Sequence, residues 1–315
     1  MILINIEEHD PSLEKIIDWL DYFNAEYKLI NESQTQFSFQ SIEISNTQVN
    51  LNLSDIKFTR FLIYWNRRSL PITFDFQKQS TNDIEKCEFR TITTFANDLI
   101  EERSVNKFRD NFTNKLFNLY SARNLGLIIP NSLITDNLME VLNFYARNNN
   151  RIVNKAIDTV SLYPYQQYSR YTALVKENDL LNLENSFQPS LFQELVEKKY
   201  EIRSFYYYGK FYSMAIFSQA DEQTEIDYRK YRYEKPNRCV PYNLPCEIEQ
   251  KLDSLMKKLL LNTGSIDLIY SLNDEYYFLE INPVGMFSSL TWPLNYSIEK
   301  DIAIHLIREA ENHEN

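Results

Sequence analysis

Apolar residues along this chain recur at two spacings, and each spacing predicts an element. Ile2 to Ile6 reads as a strand. After it, Leu13, Ile16, Ile17 and Leu20 fall three or four apart, which marks an amphipathic helix starting at Ser12 as a candidate N-cap. Strands follow at Tyr27 to Ile30, Ile42 to Ile44 and Val49 to Leu53, and FLIYW (61–65) has the composition of a buried strand. This first stretch is a small α/β unit ending near residue 100. Phe112, Leu116, Leu119 and Leu125 then share one side of a helix over 111–126, with Gly126 suited to its C-terminal end. LIIP (127–130), a helix near 136–148 and the strand RIVNKAI (151–157) come next. Two antiparallel hairpins are expected. One joins 201–208 to 210–217 around Gly209, and the other joins 265–271 to 275–282 around Asn273-Asp274. Between them, Ile248, Leu252, Leu255, Met256 and Leu259 stripe a helix over 247–260, and a last helix covers about 297–311.

Composition narrows the function. At 315 residues the chain is long enough for two or three domains. A formal net charge of −11 disfavours a general nucleic-acid partner. Cys87, Cys239 and Cys246 are odd in number and fit no zinc spacing, which suits reduced thiols in the cytoplasm. His9, His305 and His313 are scattered, so neither a histidine metal site nor a histidine triad is expected. The N-terminus has no basic stretch followed by an apolar one, so no signal peptide is expected, and no run reaches a membrane span. The only glycines are Gly126, Gly209, Gly264 and Gly285. Neither G-x-G-x-x-G nor the P-loop can be written with them, so a bound nucleotide would be held by side chains and strands.

Side-chain alternation gives the second hairpin its chemical interest. Tyr277, Leu279 and Ile281 are expected on one face of the last strand, and Phe278, Glu280 and Asn282 on the other. Hairpin closure sets Asp267 roughly opposite Glu280, a like-charge pair that destabilises a sheet unless a cation relieves it. Asp267, Glu280 and Asn282 would make an all-oxygen set suited to Mg2+ held with phosphates; a solvated face with a chance acidic pair gives the same pattern. Lys155 interrupts an apolar strand and needs an anionic partner, whereas Lys115 would ordinarily face solvent. In LFQELVEKKYEIR (191–203), Glu201 and Arg203 share a face and could pair with each other. Alternatively, the backbone near Glu194 to Val196 takes a nucleotide base and Glu201 its ribose. Arg229, Lys230, Arg232, Lys235 and Arg238 lie among tyrosines in 227–238, either as a solvated loop or as an anion clamp.

The order of these pieces resembles the ATP-grasp superfamily. More closely, it is similar to the graspetide ligases that mature microviridin-like peptides, and within them to the grasp-with-spasm maturases. NKLFNLYSARNLGLIIPNSLIT (114–135), RIVNKAI, PSLFQELVEKKYEIRSFYYYG (189–209) and SIDLIYSLNDEYYFLEINPVGMF (265–287) carry the likeness. The E-I-N-P-x-G signature is the most specific part of it. YWNRR (64–68) resembles an element of the family's N-terminal domain. The chain departs from the pattern at 158–171, which lacks the glycine that covers phosphates in many relatives, and at Met286, where glutamine is expected. The resemblance implies an α/β (α+β) ATP-grasp fold. It has an N-terminal pre-ATP-grasp domain over 1–105, a central subdomain over 106–190, and a C-terminal subdomain with an antiparallel sheet over 191–315. It implies ATP held by Lys115, Lys155, Gln193, Glu194, Leu195, Val196 and Glu201, Mg2+ on Asp267, Glu280 and Asn282, and a peptide faced by Arg203, Asp227 and Arg229. The partner would be a ribosomal precursor peptide, a leader followed by an acidic, Thr-rich core, joined into macrocyclic esters or amides. A homodimer is compatible with this reading, as are a ligase for a free amino acid or a protein C-terminus and a catalytically silent binding module.

Overall fold

The computed structural model describes residues 1–6, 10–31, 34–53, 63–67, 69, 71–78, 82–157, 171–230 and 234–312. In chain order the first elements are β1 (Ile2–Ile6), α1 (Pro11–Tyr22), β2 (Tyr27–Asn31), β3 (Gln36–Ile44), β4 (Val49–Leu53), β5 (Ile63–Arg67), β6 (Thr73–Asp75) and α2 (Asp83–Ile100). Then come α3 (Lys115–Asn124), β7 (Ser132–Asn137), α4 (Leu138–Arg147), β8 (Ile152–Lys155), β9 (Ala173–Leu174), α5 (Glu177–Leu181) and β10 (Ser186–Glu194). The rest are β11 (Lys198–Tyr207), β12 (Lys210–Phe217), β13 (Arg238–Tyr242), α6 (Cys246–Lys258), β14 (Thr263–Ser271), β15 (Tyr276–Asn282), α7 (Ser288–Leu294) and α8 (Ile298–Asn312). Residues 1–112, 260–263 and 286–315 form one compact unit, and 113–259 with 264–285 form the other.

The first unit has a parallel sheet in the order β2-β1-β5 and a second sheet, β4-β3-β6. Helix α1 begins one residue before its expected cap. Asp10, not Ser12, is the N-cap, its carboxylate accepting from Ser12 N at 2.9 Å, with Pro11 opening the helix. An aspartate followed by proline outcompetes serine because the ring supplies helical φ and lacks the N–H that would go unpaired. Asp10 also takes Arg67 Nε at 2.9 Å, a buried pair that ties α1 to the end of β5. The Arg67 guanidinium lies 5.1 Å from the Phe287 ring centre. The arginine of YWNRR that is described is thus a packing residue of this unit, and Arg68 lies outside the described residues. Helix α8 returns the end of the chain to α1, with Lys300 5.1 Å above the Trp19 ring.

The second unit is two antiparallel sheets, β7-β10-β8-β9 and β13-β12-β11-β14-β15. Helix α3 is shorter than its apolar stripe implied. Asn114 caps it by accepting from Leu116 N and Phe117 N, and Phe112 is left exposed ahead of it. Gly126, at φ +77°, ends it in a Schellman turn: Leu127 N donates to Ala122 O and Gly126 N to Arg123 O, both at 3.0 Å. The β11–β12 hairpin turns through Tyr208 (φ 45°) and Gly209 (φ 85°), two left-handed residues that match strand twist. On α6, Leu252, Leu255 and Met256 are buried as their spacing requires.

Candidate active site

The β14–β15 hairpin brings Asp267 directly opposite Glu280, as alternation and turn position predicted. Strict alternation fails one residue away. A bulge after Asp267 skips Leu279, so Ile269 faces Tyr277, and Tyr277 and Glu280 lie on the same face. Leu279 therefore lines the cavity beside Glu280 instead of facing away from it. At the end of β15 the Asn282 side chain accepts from Val284 N at 3.2 Å, and Gly285 N donates to Asn282 O at 3.0 Å. A Cβ on Gly285 would come within 2.1 Å of Ser265 Oγ, so only glycine fits this turn. The E-I-N-P-x-G pattern thus places its Glu on the sheet and ties its Asn, two residues on, to the turn that follows.

Four cations surround the acidic pair. Lys115, at the start of α3, reaches Glu280 Oε2 at 3.1 Å. Arg203 of β11 bonds both oxygens of Asp267 at 3.0 and 3.1 Å, and its Nη1 also donates to Tyr228 OH at 3.0 Å. Arg229 makes two parallel bonds to Asp227, at 2.9 and 2.8 Å, and its Nη1 lies 3.8 Å from Glu280. Asp227 is 4% exposed and also accepts from Thr172 N at 2.9 Å. Lys155 forms no ion pair among the described residues; burial holds its pKa down, and Glu280 partly offsets that. Burial pushes Glu280 up, but Lys155, Lys115 and Arg229 together outweigh it and hold the carboxyl at about 2. Asp267 is the opposite case: burial raises it, and Glu280 adds to the rise against Arg203. Burial also raises Asp227, yet the bonds from Arg229 bring it to about 2.

These shifts set an acid dependence. Depressed carboxyls contribute stability that is complete above their ordinary pKa and lost as pH falls through the folded value. For Glu280 the shift from 4.5 to about 2 corresponds to on the order of 3 kcal/mol, partly opposed by Asp267. Acid unfolding is expected to steepen between pH 4.5 and 2, and Glu280→Gln should flatten the curve there; an unchanged pH profile of the melting temperature would contradict the arrangement.

Beside this cluster lies a cavity of about 230 Å3, lined by Lys155, Gln193 to Lys198, Glu201, Ile269, Leu272 and Leu279. A smaller hollow of about 40 Å3, lined by Lys155, Glu201, Asp227, Arg229, Asp267 and Glu280, adjoins it. The wall at Glu194 to Val196 is a strand end running into a loop. Leu195 N donates to Arg151 O, whereas Val196 has no backbone partner among the described residues. Gln193 is buried and donates to Ser132 Oγ at 2.9 Å. Glu201 is 6% exposed; Lys198 takes one of its oxygens, and Oε2 has no partner among the described residues. A buried carboxylate oxygen without a donor, on a residue that lines the cavity, calls for a ligand hydroxyl or N–H.

Glu201 and Arg203 share a face but do not pair: Glu201 takes Lys198 and Arg203 takes Asp267. The basic run after Asp227 is dispersed, with Lys235 on Ala220 O, Arg238 over the Phe217 ring, and Arg232 outside the described residues. The glycine-free stretch is described only at Tyr171, which is exposed. Lys198, Thr172 and Tyr228 went unread in the sequence. The EKKYE spacing hinted at Lys198, but nothing local marked the other two. Among the described residues no three Asp, Glu, His or Cys side chains gather as a metal site, and the facing carboxylates of this cluster are Asp267 and Glu280. Asp267 and Glu280 supply hard oxygen donors of the kind Mg2+ takes, and in this structure Arg203 and Lys115 offset their charge. Among the described residues no helix is long and apolar enough to cross a membrane.

No protein-family model matches the sequence, and no curated protein matches it. Solved structures do. Macrocyclase MdnC from Microcystis aeruginosa MRC, bound with precursor peptide MdnA, is 25% identical with a TM-score of 0.71, covering 97% of this chain and 99% of that one. A RiPP-associated ATP-grasp ligase of Chryseobacterium gregarium, in complex with ADP and a leader and core peptide, is 24% identical with a TM-score of 0.75, covering 98% and 96%. The ATP-grasp ligase PsnB, complexed with minimal precursor, Mg and ADP, is 17% identical with a TM-score of 0.69, covering 98% of each chain. The fold is that of the ATP-grasp ligases. Within them the chain has the arrangement of the graspetide peptide macrocyclases.

Proposed function

We propose that this chain is a cytoplasmic, ADP-forming ligase that closes macrocyclic links within a ribosomal precursor peptide. The observation that carries the proposal is the convergence of Lys115, Lys155, Arg203 and Arg229 on Asp267 and Glu280, beside a cavity with an unpartnered buried carboxylate oxygen. The fold, shared end to end with peptide ligases, supports it. In this reading the base of ATP lies along Gln193 to Val196, its ribose meets Glu201, and its phosphates reach Lys155 and Lys115. Asp267, Glu280 and Asn282 would hold Mg2+, which supplies charge neutralisation between phosphate oxygens.

Arg203 and Arg229, with Asp227 orienting Arg229, would align an Asp or Glu side chain of the peptide. Its carboxylate oxygen attacks the γ-phosphorus and ADP leaves, giving an acyl phosphate. A Ser or Thr hydroxyl, or a Lys amine, of the same peptide then attacks the carbonyl. Phosphate leaves, the nucleophile's proton passes to solvent or phosphate, and an ester or amide remains. The protein positions the groups and neutralises charge; it forms no covalent intermediate. The peptide proposed is a leader followed by an acidic, Thr-rich core.

The test is incubation of the chain with ATP, Mg2+ and each short acidic, Thr-rich peptide encoded beside it. One water mass lost and one ADP formed per ring is the expected result, and ADP formation with no mass loss in any such peptide would overturn the reading. Lys155→Met should weaken ADP binding about 10- to 100-fold, the loss of one or two charge-assisted contacts. Calorimetry measures this, and an unchanged affinity would place Lys155 away from the phosphates.

A further inference from the structure

Lys198 is a costly residue in an unusual place. Its side chain is 8% exposed, as is that of Glu201, and the two form an ion pair at the cavity wall. Residues three apart on a strand ordinarily point to opposite faces. This pair exists because Lys198 sits at the first position of β11, where the chain enters from the 195–197 loop and its long stem can turn toward the Glu201 side. Burying an ammonium for a single surface-independent contact is poor stabilisation. The pair also leaves Glu201 Oε2 without a donor, so it is not completed by the protein itself. Burial pushes the Glu201 carboxyl up to about 7, with Lys198 the principal opposing influence and Asp227 and Asp267 adding to the rise. Tyr228, the other polar group facing it from the 227–229 loop, bonds Arg203 instead.

We propose that Lys198 is a positioning residue for sugar recognition: it holds Glu201 ionised and pinned by one oxygen, so that the other accepts from the ribose hydroxyls of the nucleotide. The proposal rests on the nucleotide reading of the cavity. Charge-assisted bonds to an ionised carboxylate are roughly twice as strong as neutral ones. Lys198 therefore acts on the preference for ribose, not on the phosphates. Without its counter-charge, Glu201 takes up a proton near neutral pH and the preference fades; raising the pH restores it.

The experiment compares ADP with 2′,3′-dideoxy-ADP by calorimetry. In the unaltered chain at pH 7, ADP should bind about 10- to 100-fold more tightly. In Lys198→Met the gap should shrink to under about 3-fold at pH 7 and reopen at pH 9, while Lys198→Arg keeps it. Should the Met variant lose its cooperative melt, Lys198→Gln replaces it in the same comparison. A gap that survives in Lys198→Met overturns the proposal, as does equal weakening of both nucleotides or a loss that pH 9 does not recover. Absence of a gap in the unaltered chain removes ribose from Glu201 and sinks this inference alone. Failure of the unaltered chain to bind either nucleotide sinks the proposed function with it.

Discussion

Glu280→Gln is expected to lower Mg2+-dependent ADP release by about 100- to 1000-fold, the range seen when one preorganised charge contact is removed from a reacting centre. Glutamine keeps the volume and one oxygen but replaces the other with an N–H2 group. That group would face Lys115, which lies 3.1 Å from Oε2 in this structure. Lys155 and Arg229 lose the same counter-charge. The variant should also be less stable at neutral pH by at most on the order of 3 kcal/mol, since Asp267 loses a like-charge neighbour and offsets part of the loss. For a chain of this size that is a fall of at most about 5–10 °C in melting temperature, so an assay at 20 °C still reads folded protein. Raising Mg2+ should recover little, because the missing element is a negative oxygen. Turnover within tenfold of the unaltered chain would remove Glu280 from the metal site.

Arg229→Ala should reduce peptide dehydration about 100-fold and leave ADP affinity within about 3-fold. The reason is the company Arg229 keeps. Its two parallel bonds go to Asp227, which is 4% exposed and, among the described residues, otherwise accepts only from the backbone N–H groups of Thr172 and Arg229. Removing the guanidinium leaves a buried carboxylate without its counter-charge, which costs less than the roughly 3–5 kcal/mol of a fully buried pair because Arg229 is 43% exposed and screened by solvent. Stability and activity must therefore be separated. The double variant Asp227→Asn, Arg229→Ala removes the stranded charge and should recover most of the stability but none of the dehydration. Arg229→Lys keeps a charge, loses the fork, and should fall between. Mass spectrometry of the peptide beside calorimetry of ADP reads the two effects. Equal loss in both would move Arg229 to the nucleotide, and no loss in either would make it only a clamp for Asp227.

The parts of the site that could be read from the chain are those set by short-range geometry. Asp267 and Glu280 face each other because a hairpin turn near Asp274 (φ 64°) fixes the pairing of residues only a few positions away on either side. The β11–β12 hairpin, the α6 stripe and the glycine-terminated α3 were legible for the same reason: each follows from a period or a turn residue within one window. Helix α2 and strands β7 and β10 were missed. The stripe of α2 buries only Ala96 and Ile100 of its eighteen residues, and β10 pairs with β7 across an irregular register, so neither carries a clean period.

Which cation meets which carboxylate was decided by the tertiary structure. Alternation puts Glu201 and Arg203 on one face and allows them to pair, yet β14 lies beside β11 and offers Arg203 a closer acid in Asp267, while the loop before β11 delivers Lys198 to Glu201. The bulge that turns Leu279 into the cavity, the Asp10 cap reinforced by Arg67, and the return of α8 to α1 are of the same kind. The chain by itself determined its periods, its turns and the chemical kinds of side chain at the site. The partners were left to the fold because a strand's pattern specifies only a face, and ionic attraction reaches whichever opposite charge the packing of distant segments brings within about 4 Å.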